Sequence, residues 1–348
     1  MRSAEGGEIY VIGIESTAHT FGVGIVDGKG NAVADERSVY VPPPGEGIHP
    51  QLAAEHHSRS AVKVLRRALE KSGLDLKAID GIAFSAGPGL GPALRIGATM
   101  ARFLACYHSK PLYPVHHAIG HVELAIHLSG ANDPLVVVVS GGHTSIMAFN
   151  MGRWRVYGET LDITLGNLLD QLGRELSLPF PGGPRVEALA KKGERLLELP
   201  YVVKGNNVSY SGLLTSALKL AERERVEDVC YSVQEVAFSM LVEVTERALV
   251  QLGKGEVLLT GGVASNGRLR EMIRQMCEEH GAVFREVRDR RYNADNGVQI
   301  AIVGLRMHEI GASTPPEEAG IKQRWRVDEV DVPWRTRSGR EKARAKKI

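Results

Sequence analysis

The sequence begins with a group of short apolar runs. Residues 10–14 and 21–26 are apolar, a polar tip at 15–20 lies between them, and a turn at 27–30 leads to a third run. Short apolar runs bounded by glycine and turn residues are typical of β-strands, and tight polar connections between them are typical of hairpins. The pattern therefore predicts a three-stranded meander near the N-terminus.

A similar group follows roughly 125 residues further along the chain. Residues 136–139 are apolar, the tip 140–144 is polar and glycine-bearing, and a second run covers 145–149. A turn at 150–153 then leads to a third strand at 154–157. Two such meanders predict a duplicated architecture with a ligand between the two halves.

Longer segments with helical periodicity separate the strands. They are predicted at 53–71, 92–107, 235–252 and 297–310. In the first segment, Ala61, Leu65 and Ala68 lie on one stripe with charged residues opposite, which is typical of a surface helix. The stretch 177–212 is rich in Gly, Pro, Ser and Asn and is predicted to be irregular. Strands that alternate with helices indicate an α/β protein.

Composition adds few constraints. The 348 residues are 43% apolar, which suggests about two domains. The sequence shows no run of about 18 apolar residues and no signal peptide, so we expect no membrane span and a cytoplasmic protein. Its three cysteines, Cys106, Cys230 and Cys277, are widely spaced and are predicted to be reduced core thiols.

The net charge of +2 conceals a basic C-terminal segment. Residues 335–348 contain seven Lys or Arg and one Glu, a net charge of +6, which leaves −4 for the rest of the chain. Such a tail is either a solvated segment or a segment that contacts a phosphate backbone. Both interpretations stay open on composition alone.

His117 and His121 are candidate metal ligands. Residues four apart share one face of a helix, so both imidazoles can bind one ion, although a solvated face is the alternative. A metalloprotease is disfavoured, because the HExxH motif requires Glu after the first His and Ala118 stands there. Asp295, before a predicted helix, either caps that helix or supplies the missing carboxylate. Two His and one carboxylate suit Fe(II) and also zinc.

Two glycine-bearing turns are candidate nucleotide sites. In Ser140-Gly141-Gly142, backbone N–H groups can approach a phosphate, or the residues form an ordinary hairpin turn. The apolar run at 258–259 leads to a second glycine pair at 261–262 and then a helix, as in nucleotide-binding α/β proteins. There, Asn266 either contacts a ribose or base or caps the helix. Asp170 and Glu187 either bind sugar hydroxyls or occupy surface turns.

Together and in this order, these segments resemble the universal threonylcarbamoyladenosine synthase family, once labelled O-sialoglycoprotein endopeptidases. The resemblance extends from residue 11 to residue 311. The segments 15–26, 87–92 and 158–162 are similar to the archaeal and eukaryal branch, whose members are catalytic subunits of the KEOPS assembly.

The resemblance implies an actin/Hsp70/sugar-kinase-like fold, in which two ribonuclease-H-like domains surround a nucleotide cleft. The expected domains are 1–133, completed by a helix at 297–311, and 134–296, followed by the basic tail 335–348.

The same resemblance implies the ligand sites. The metal ligands are expected to be His117, His121 and Asp295, with iron favoured over zinc. The residues expected to bind an adenine nucleotide, either ATP or threonylcarbamoyl-adenylate, are Val138, Val139, Ser140, Gly141, Gly142, Asp170, Gly183, Glu187 and Asn266. Several relatives carry a metal-binding tyrosine at the position of Val138, so one more ligand position is expected to be open or filled by water here. His143 also differs from the asparagine that is common in that branch.

The implied activity is transfer of threonylcarbamoyl from threonylcarbamoyl-adenylate to the exocyclic amine of the tRNA adenosine beside the anticodon, with release of AMP. A separate small protein kinase and two small subunits are the implied partners. Basic residues expected to contact tRNA are Arg285, Arg288, Arg290, Arg291 and the 335–348 tail. No general base is assigned, although Glu15 and His19 are candidates. The alternatives are a carbamoyl-transferring maturation enzyme, a sugar kinase or Hsp70-like ATPase, and an ATP-binding structural subunit of the same fold.

Overall fold

The computed structural model describes residues 8–43 and 46–336, which divide between two compact units. The first unit comprises Met1–Pro42, Ile48–His127 and Asp295–Ile348, and the second comprises Pro43–Gly47 and Leu128–Ala294. The N-terminal part of the first unit thus ends at His127, six residues before the expected boundary at 133. The unit resumes at Asp295, two residues before the expected helix at 297.

The chain alternates strands and helices, as the sequence predicts. The strands are β1 Tyr10–Glu15, β2 Thr20–Asp27, β3 Ala32–Val39, β4 Gly81–Gly87, β5 Leu112–His116, β6 Leu135–Val139, β7 Thr144–Asn150, β8 Arg153–Glu159, β9 Val203–Lys204, β10 Asn207–Val208, β11 Glu256–Thr260 and β12 Val283–Glu286. The helices are α1 Pro50–Ser72, α2 Gly91–His108, α3 His117–Ser129, α4 Leu165–Glu175, α5 Gly182–Ala190, α6 Ser211–Ala221, α7 Val226–Leu252, α8 Gly267–Glu279 and α9 Gly297–Ile310.

Each unit contains a five-stranded sheet with the same strand arrangement. The first sheet has the order β3-β2-β1-β4-β5, and the second has the order β8-β7-β6-β11-β12. In both, the first three strands form an antiparallel meander, and two further strands join it in parallel. The duplicated meander that the sequence predicts is therefore confirmed.

In the first unit, α9 packs closely against β1 and β2. A Cβ added to Gly13 would lie 2.2 Å from the Ala301 backbone nitrogen, and one added to Gly24 would lie 2.2 Å from the Val298 nitrogen. Glycine is required at both positions because any side chain would displace the helix. This close approach fixes the start of α9, which follows Asp295, beside the first strands of the sheet.

The two cores are separate clusters of buried apolar side chains. In the first unit, residues of α1 and α2 such as Leu65 and Leu104 pack with Ile14 and Val23 of the sheet. In the second unit, α4, α6 and α7 cover a core that includes Val137, Val139 and Leu259.

The prediction of an irregular stretch at 177–212 is wrong in part, because α5 and the β9–β10 hairpin lie within it. Pro184 is in the first turn of α5, where the missing N–H of proline costs no helical hydrogen bond. Glu187 lies within α5, so the alternative of a surface turn is wrong for this residue. In addition, α7 begins at Val226, nine residues before the predicted start.

Cys230 and Cys277 are buried, as predicted, whereas Cys106 is exposed. None of the described helices combines the length and the apolar character that crossing a membrane requires.

Candidate metal centre and nucleotide-binding loops

Two histidines and one aspartate converge in the first unit. His117 and His121 share a face of α3, and Asp295 immediately precedes the N-cap residue of α9. The Nε2 atoms of His117 and His121 lie 3.6 Å and 3.2 Å from the same oxygen, Asp295 Oδ1. All three candidate ligand atoms lie within 4.8 Å of one another. Both imidazoles are buried, so the alternative of two histidines on a solvated helix face is wrong.

The carboxylate of Asp295 is not the cap of α9. The N-cap residue is Asn296, whose side chain accepts a hydrogen bond of 2.8 Å from the Gln299 backbone N–H. The helix start is therefore satisfied without Asp295, whose side chain points to the imidazole pair instead. The alternative interpretation of Asp295 as an N-cap is wrong.

Glu15, at the carboxyl end of β1, fixes the orientation of His117. Its Oε2 lies 3.0 Å from His117 Nδ1, while its Oε1 accepts hydrogen bonds from the Thr17 N–H at 2.7 Å and the Thr17 hydroxyl at 2.6 Å. Gln299 Nε2 also donates to Oε2 at 3.3 Å. A carboxylate on Nδ1 assigns a proton to that nitrogen, and Nε2 then faces Asp295. Such a carboxylate on the outer nitrogen is the usual partner of a metal-binding histidine.

The charges within this cluster are strongly coupled. Burial alone would lower the pKa of His117, but the carboxylates of Glu15 and Asp295 outweigh it and raise the pKa to about 9. Burial would likewise raise the pKa of Asp295, but the two histidines hold the pKa of this carboxyl well below its usual range. The two carboxylates thus favour a positive charge on or beside His117, which either a proton or a bound cation supplies.

These residues fit a divalent ion. Two Nε2 atoms and one carboxylate oxygen point to a common position, and two-histidine, one-carboxylate sets bind Fe(II) or zinc with ligand positions left open. The outer nitrogen of His121, Nδ1, is buried and has no hydrogen-bond partner within the described ranges, so only His117 has a carboxylate support.

His19 lies on the loop between β1 and β2, close to the same cluster. Its charge contributes to the lowered pKa of Asp295. Its backbone carbonyl accepts a hydrogen bond of 2.8 Å from the Tyr40 N–H. Of the two candidate bases, Glu15 is fully buried with both oxygens engaged, an environment that suits orientation of His117 better than proton transfer.

In the second unit, the two glycine-bearing turns lie at one edge of the sheet. β6 and β11 are parallel and adjacent, with Thr260 opposite Val138, so the turns that follow them meet at the carboxyl ends of the strands. Gly261 has a φ of +96°, and a Cβ there would lie 2.4 Å from the Val139 carbonyl oxygen. Only glycine allows the second turn to approach the first this closely.

The tip at 140–142 is held by its own side chains and by α4. Ser140 Oγ accepts hydrogen bonds from the Gly142 N–H at 3.3 Å and the His143 N–H at 3.0 Å. Thr164, the N-cap of α4, donates from its hydroxyl to the Gly141 carbonyl at 2.8 Å. Among the described residues, no atom lies within 4 Å of a Cβ built on Gly141 or Gly142, so the tip has open space around it.

Val138 and Val139 differ from the other expected nucleotide contacts. Both are buried in β6, which pairs with β7 on one side and β11 on the other. These two residues position the tip, and the tip itself carries the accessible polar groups.

The remaining expected contacts link the starts of two helices. Asp170 Oδ1 accepts a hydrogen bond of 2.8 Å from the Gly182 N–H at the start of α5, next to Gly183. Glu187 Oε1 accepts one of 3.1 Å from the Gly267 N–H at the start of α8. Asn266 caps α8 through the Arg268 and Leu269 N–H groups. The structure therefore brings α5 and α8 to the same part of the unit, and the cap interpretation of Asn266 is confirmed.

Comparisons with known proteins identify the family. A family model described as tRNA N6-adenosine threonylcarbamoyltransferase matches residues 31–302. A curated protein of that name from Thermofilum pendens is 54% identical over 331 residues, which cover 94% of this chain and 98% of the relative. The chain belongs to this family. Another relative of the same name, from Methanopyrus kandleri, is 51% identical, and the match covers 97% of that relative.

Solved structures that are similar to this chain confirm the predicted fold class. HypF from T. kodakarensis has a TM-score of 0.61 and 16% identity, over 90% of this chain and 49% of HypF. Component A of (R)-2-hydroxyglutaryl-CoA dehydratase from Acidaminococcus fermentans has a TM-score of 0.55 and 13% identity, over 86% of this chain and 98% of component A. At these identities the similarity establishes the actin/Hsp70/sugar-kinase-like fold alone.

Sequence patterns do not reveal the residues that surround the metal cluster. Thr17 and Gln299 both contact Glu15, yet each belongs to an unremarkable local sequence. Gln299 has one local signal, its position three residues after the N-cap Asn296. That spacing indicates a helix start and gives no hint of the contact with Glu15.

Several arginines predicted to contact tRNA are engaged in ion pairs. Arg285 lies 3.0 Å from Glu256, and Arg291 lies 2.7 Å from Asp289. Composition places Arg335 at the start of a segment that is either solvated or in contact with a phosphate backbone. It lies 2.5 Å from Glu123 with a side chain only 10% exposed, so neither interpretation holds for this residue. The other charged residues of that tail, at 337–348, lie outside the described residues.

Proposed function

We propose that this protein transfers threonylcarbamoyl from threonylcarbamoyl-adenylate to the N6 amine of the tRNA adenosine beside the anticodon, acting in the cytoplasm. The observation that carries the proposal is the convergence of His117, His121 and Asp295 in a chain 54% identical to a protein named tRNA N6-adenosine threonylcarbamoyltransferase.

In this reaction the N6 amine attacks the carbamoyl carbon of the mixed anhydride. A carbon–nitrogen bond forms, the bond from that carbon to the phosphate oxygen breaks, AMP leaves and the nitrogen loses a proton. An adenine amine is a weak nucleophile. Positioning of the two reactants and stabilisation of the developing negative charge therefore have to supply most of the acceleration.

We assign the metal to His117, His121 and Asp295, and favour iron over zinc. A divalent ion bound there supplies a Lewis acid for the charge that develops on the acyl carbonyl or on the departing phosphate. Glu15 holds the His117 proton on Nδ1, which keeps Nε2 available as a ligand. Glu15 is thus a positioning residue.

We assign the adenine nucleotide to the second unit. The open tip at 140–142 and the positive dipole ends of α4, α5 and α8, which the contacts described above link to one another, favour phosphate. Asp170 and Glu187 make the helix contacts described above, and we propose their carboxylates as the acceptors for ribose hydroxyls.

The partners that we propose are a separate small protein kinase and two small subunits of a KEOPS-type assembly. Support comes from a relative in Thermoplasma volcanium, 50% identical, named a probable bifunctional tRNA threonylcarbamoyladenosine biosynthesis protein. This chain covers 62% of that relative. The word bifunctional in that name indicates that a second activity accompanies the transferase in that relative.

Incubation of the purified protein with threonylcarbamoyl-adenylate and unmodified tRNA tests the proposal. The expected products are modified tRNA and AMP in equal amounts, and a chelator is expected to suppress both. Carbamoyl transfer without threonylcarbamoyl transfer would indicate a maturation enzyme instead. If the protein, with its partners added, binds ATP but modifies no tRNA, the structural-subunit alternative is correct.

A further inference from the structure

A groove of about 430 Å³ lies in the first unit between the end of β3 and the first half of α1. Leu52 and Glu55 form part of its lining. Its other lining residues combine cations, rings and hydroxyls, namely Arg59, Lys63, Tyr40, His56, Ser38 and Ser60. None of these residues belongs to the metal cluster or to the expected nucleotide contacts.

The groove has the chemistry that single-stranded RNA requires. The rings of Tyr40 and His56 both line the groove with centroids 6.1 Å apart, and aromatic rings stack on bases of any sequence. Arg59 and Lys63 are one helical turn apart and exposed. Arg59 pairs with Glu55 at 3.5 Å, but both side chains are largely solvated, and such pairs contribute little, so a phosphate can replace the carboxylate.

The groove is linked to the metal cluster by contacts through the loop between β1 and β2. The Tyr40 N–H donates to the His19 carbonyl, on the loop that follows Glu15. On the other side, the His56 ring packs against the buried ring of His57, with centroids 5.6 Å apart. Because the loop that carries His19 begins after Glu15, which contacts His117, the groove and the metal cluster share this loop.

We propose that the groove binds a nucleotide adjacent to the modified adenosine, with its base against Tyr40 and His56 and its phosphate against Arg59 and Lys63. The inference rests on the proposed function and specifies how the RNA substrate is held. The Ser38 hydroxyl contacts His56 Nε2 at 2.9 Å and the Ser60 hydroxyl donates to the His56 carbonyl at 2.7 Å, so both hold His56 in place in the groove.

The double variant Arg59→Ala/Lys63→Ala tests the phosphate contacts. The KM for tRNA is expected to rise roughly tenfold or more, and the slope of log affinity against log salt to decrease by about one for each lost phosphate contact. The KM for threonylcarbamoyl-adenylate and the metal content are expected to stay unchanged. Tyr40→Ala should weaken tRNA binding roughly tenfold with the salt slope unchanged, because it removes stacking and no charge.

Lys219→Ala/Arg223→Ala, in the last turn of α6 and just after it, is the matched control, since it removes the same charge from exposed positions four residues apart. Equal losses of tRNA affinity in the two double variants would overturn the groove assignment and indicate a general charge effect. Unchanged tRNA affinity in the Arg59/Lys63 variant would overturn it as well, while the proposed function would stand. Failure of the wild-type protein to modify tRNA would instead refute the proposed function.

Discussion

At the residue scale, Glu15 is expected to control metal affinity without touching the ion. Glu15→Ala removes the acceptor on His117 Nδ1 and frees the ring to rotate, so metal affinity should fall about 10- to 100-fold. Glu15→Gln retains one side-chain oxygen, so its metal affinity should fall less than that of Glu15→Ala. Chelator competition on the protein without substrates measures both values.

The control is Glu36→Ala, which removes a carboxylate of the same unit that pairs with Lys71. Its metal affinity should equal that of the wild type. Unchanged affinity in a folded Glu15→Ala protein would contradict the positioning role of Glu15.

His57 is expected to make the folded state sensitive to acid. Burial, together with the charge on His56, lowers the pKa of His57 from 6.5 to about 4, and the Glu15 carboxylate opposes this only in part. Between these two pH values the unfolded chain binds a proton that the folded chain does not. The contribution to stability is therefore complete above pH 6.5 and is lost as the pH falls toward 4, by at most about 3 kcal/mol.

Urea unfolding at several pH values, compared between the wild type and His57→Gln, isolates this contribution. The wild-type free energy of unfolding should decrease more steeply than that of the variant between pH 6.5 and 4. Parallel curves would show that His57 is not responsible.

At the element scale, the close packing of α9 on the sheet is expected to set both stability and metal binding. In Gly13→Ala, the new Cβ meets the Ala301 backbone, which cannot rotate away, so α9 has to shift. We expect a loss of roughly 1–3 kcal/mol or more in the free energy of unfolding. Metal affinity should fall in parallel, because Asp295 moves with the helix.

Gly212→Ala in α6 is the matched control, because its Cβ would meet no atom within 4 Å among the described residues. It should stabilise the helix slightly. Equal stability of Gly13→Ala and the wild type in thermal or urea unfolding would show that α9 adapts without cost.

The same helix shows what sequence patterns can predict. The bounds 297–310 follow from local periodicity, and the spacing of His117 and His121 follows from helix geometry, so both are accessible from the sequence. The meeting of Asp295 with His121 depends on tertiary packing across 174 residues, so the residues alone leave a helix cap as the alternative, and the family resemblance favours the ligand role. The role of Glu15 depends on the positions of β1 and β5 in the sheet, which periodicity does not encode.

At the scale of the whole molecule, two units with one strand order carry different residues at the carboxyl ends of their strands. In the first unit, the carboxyl ends of β1 and β5 lead to Glu15 and to the histidines of α3. In the second unit, the ends of β6 and β11 lead to glycine turns beside helix starts. The duplication could be predicted from the repeated meander, whereas the division of roles could not, because it lies in single residues after each strand.

The most direct measurement compares the wild-type protein with His117→Ala/His121→Ala for bound metal and for threonylcarbamoyl transfer to tRNA. The double variant is expected to lose both the metal and the transfer while its fold and its nucleotide binding are retained, because both substitutions lie in the first unit. Wild-type rates of transfer by a metal-free double variant would contradict the central claim.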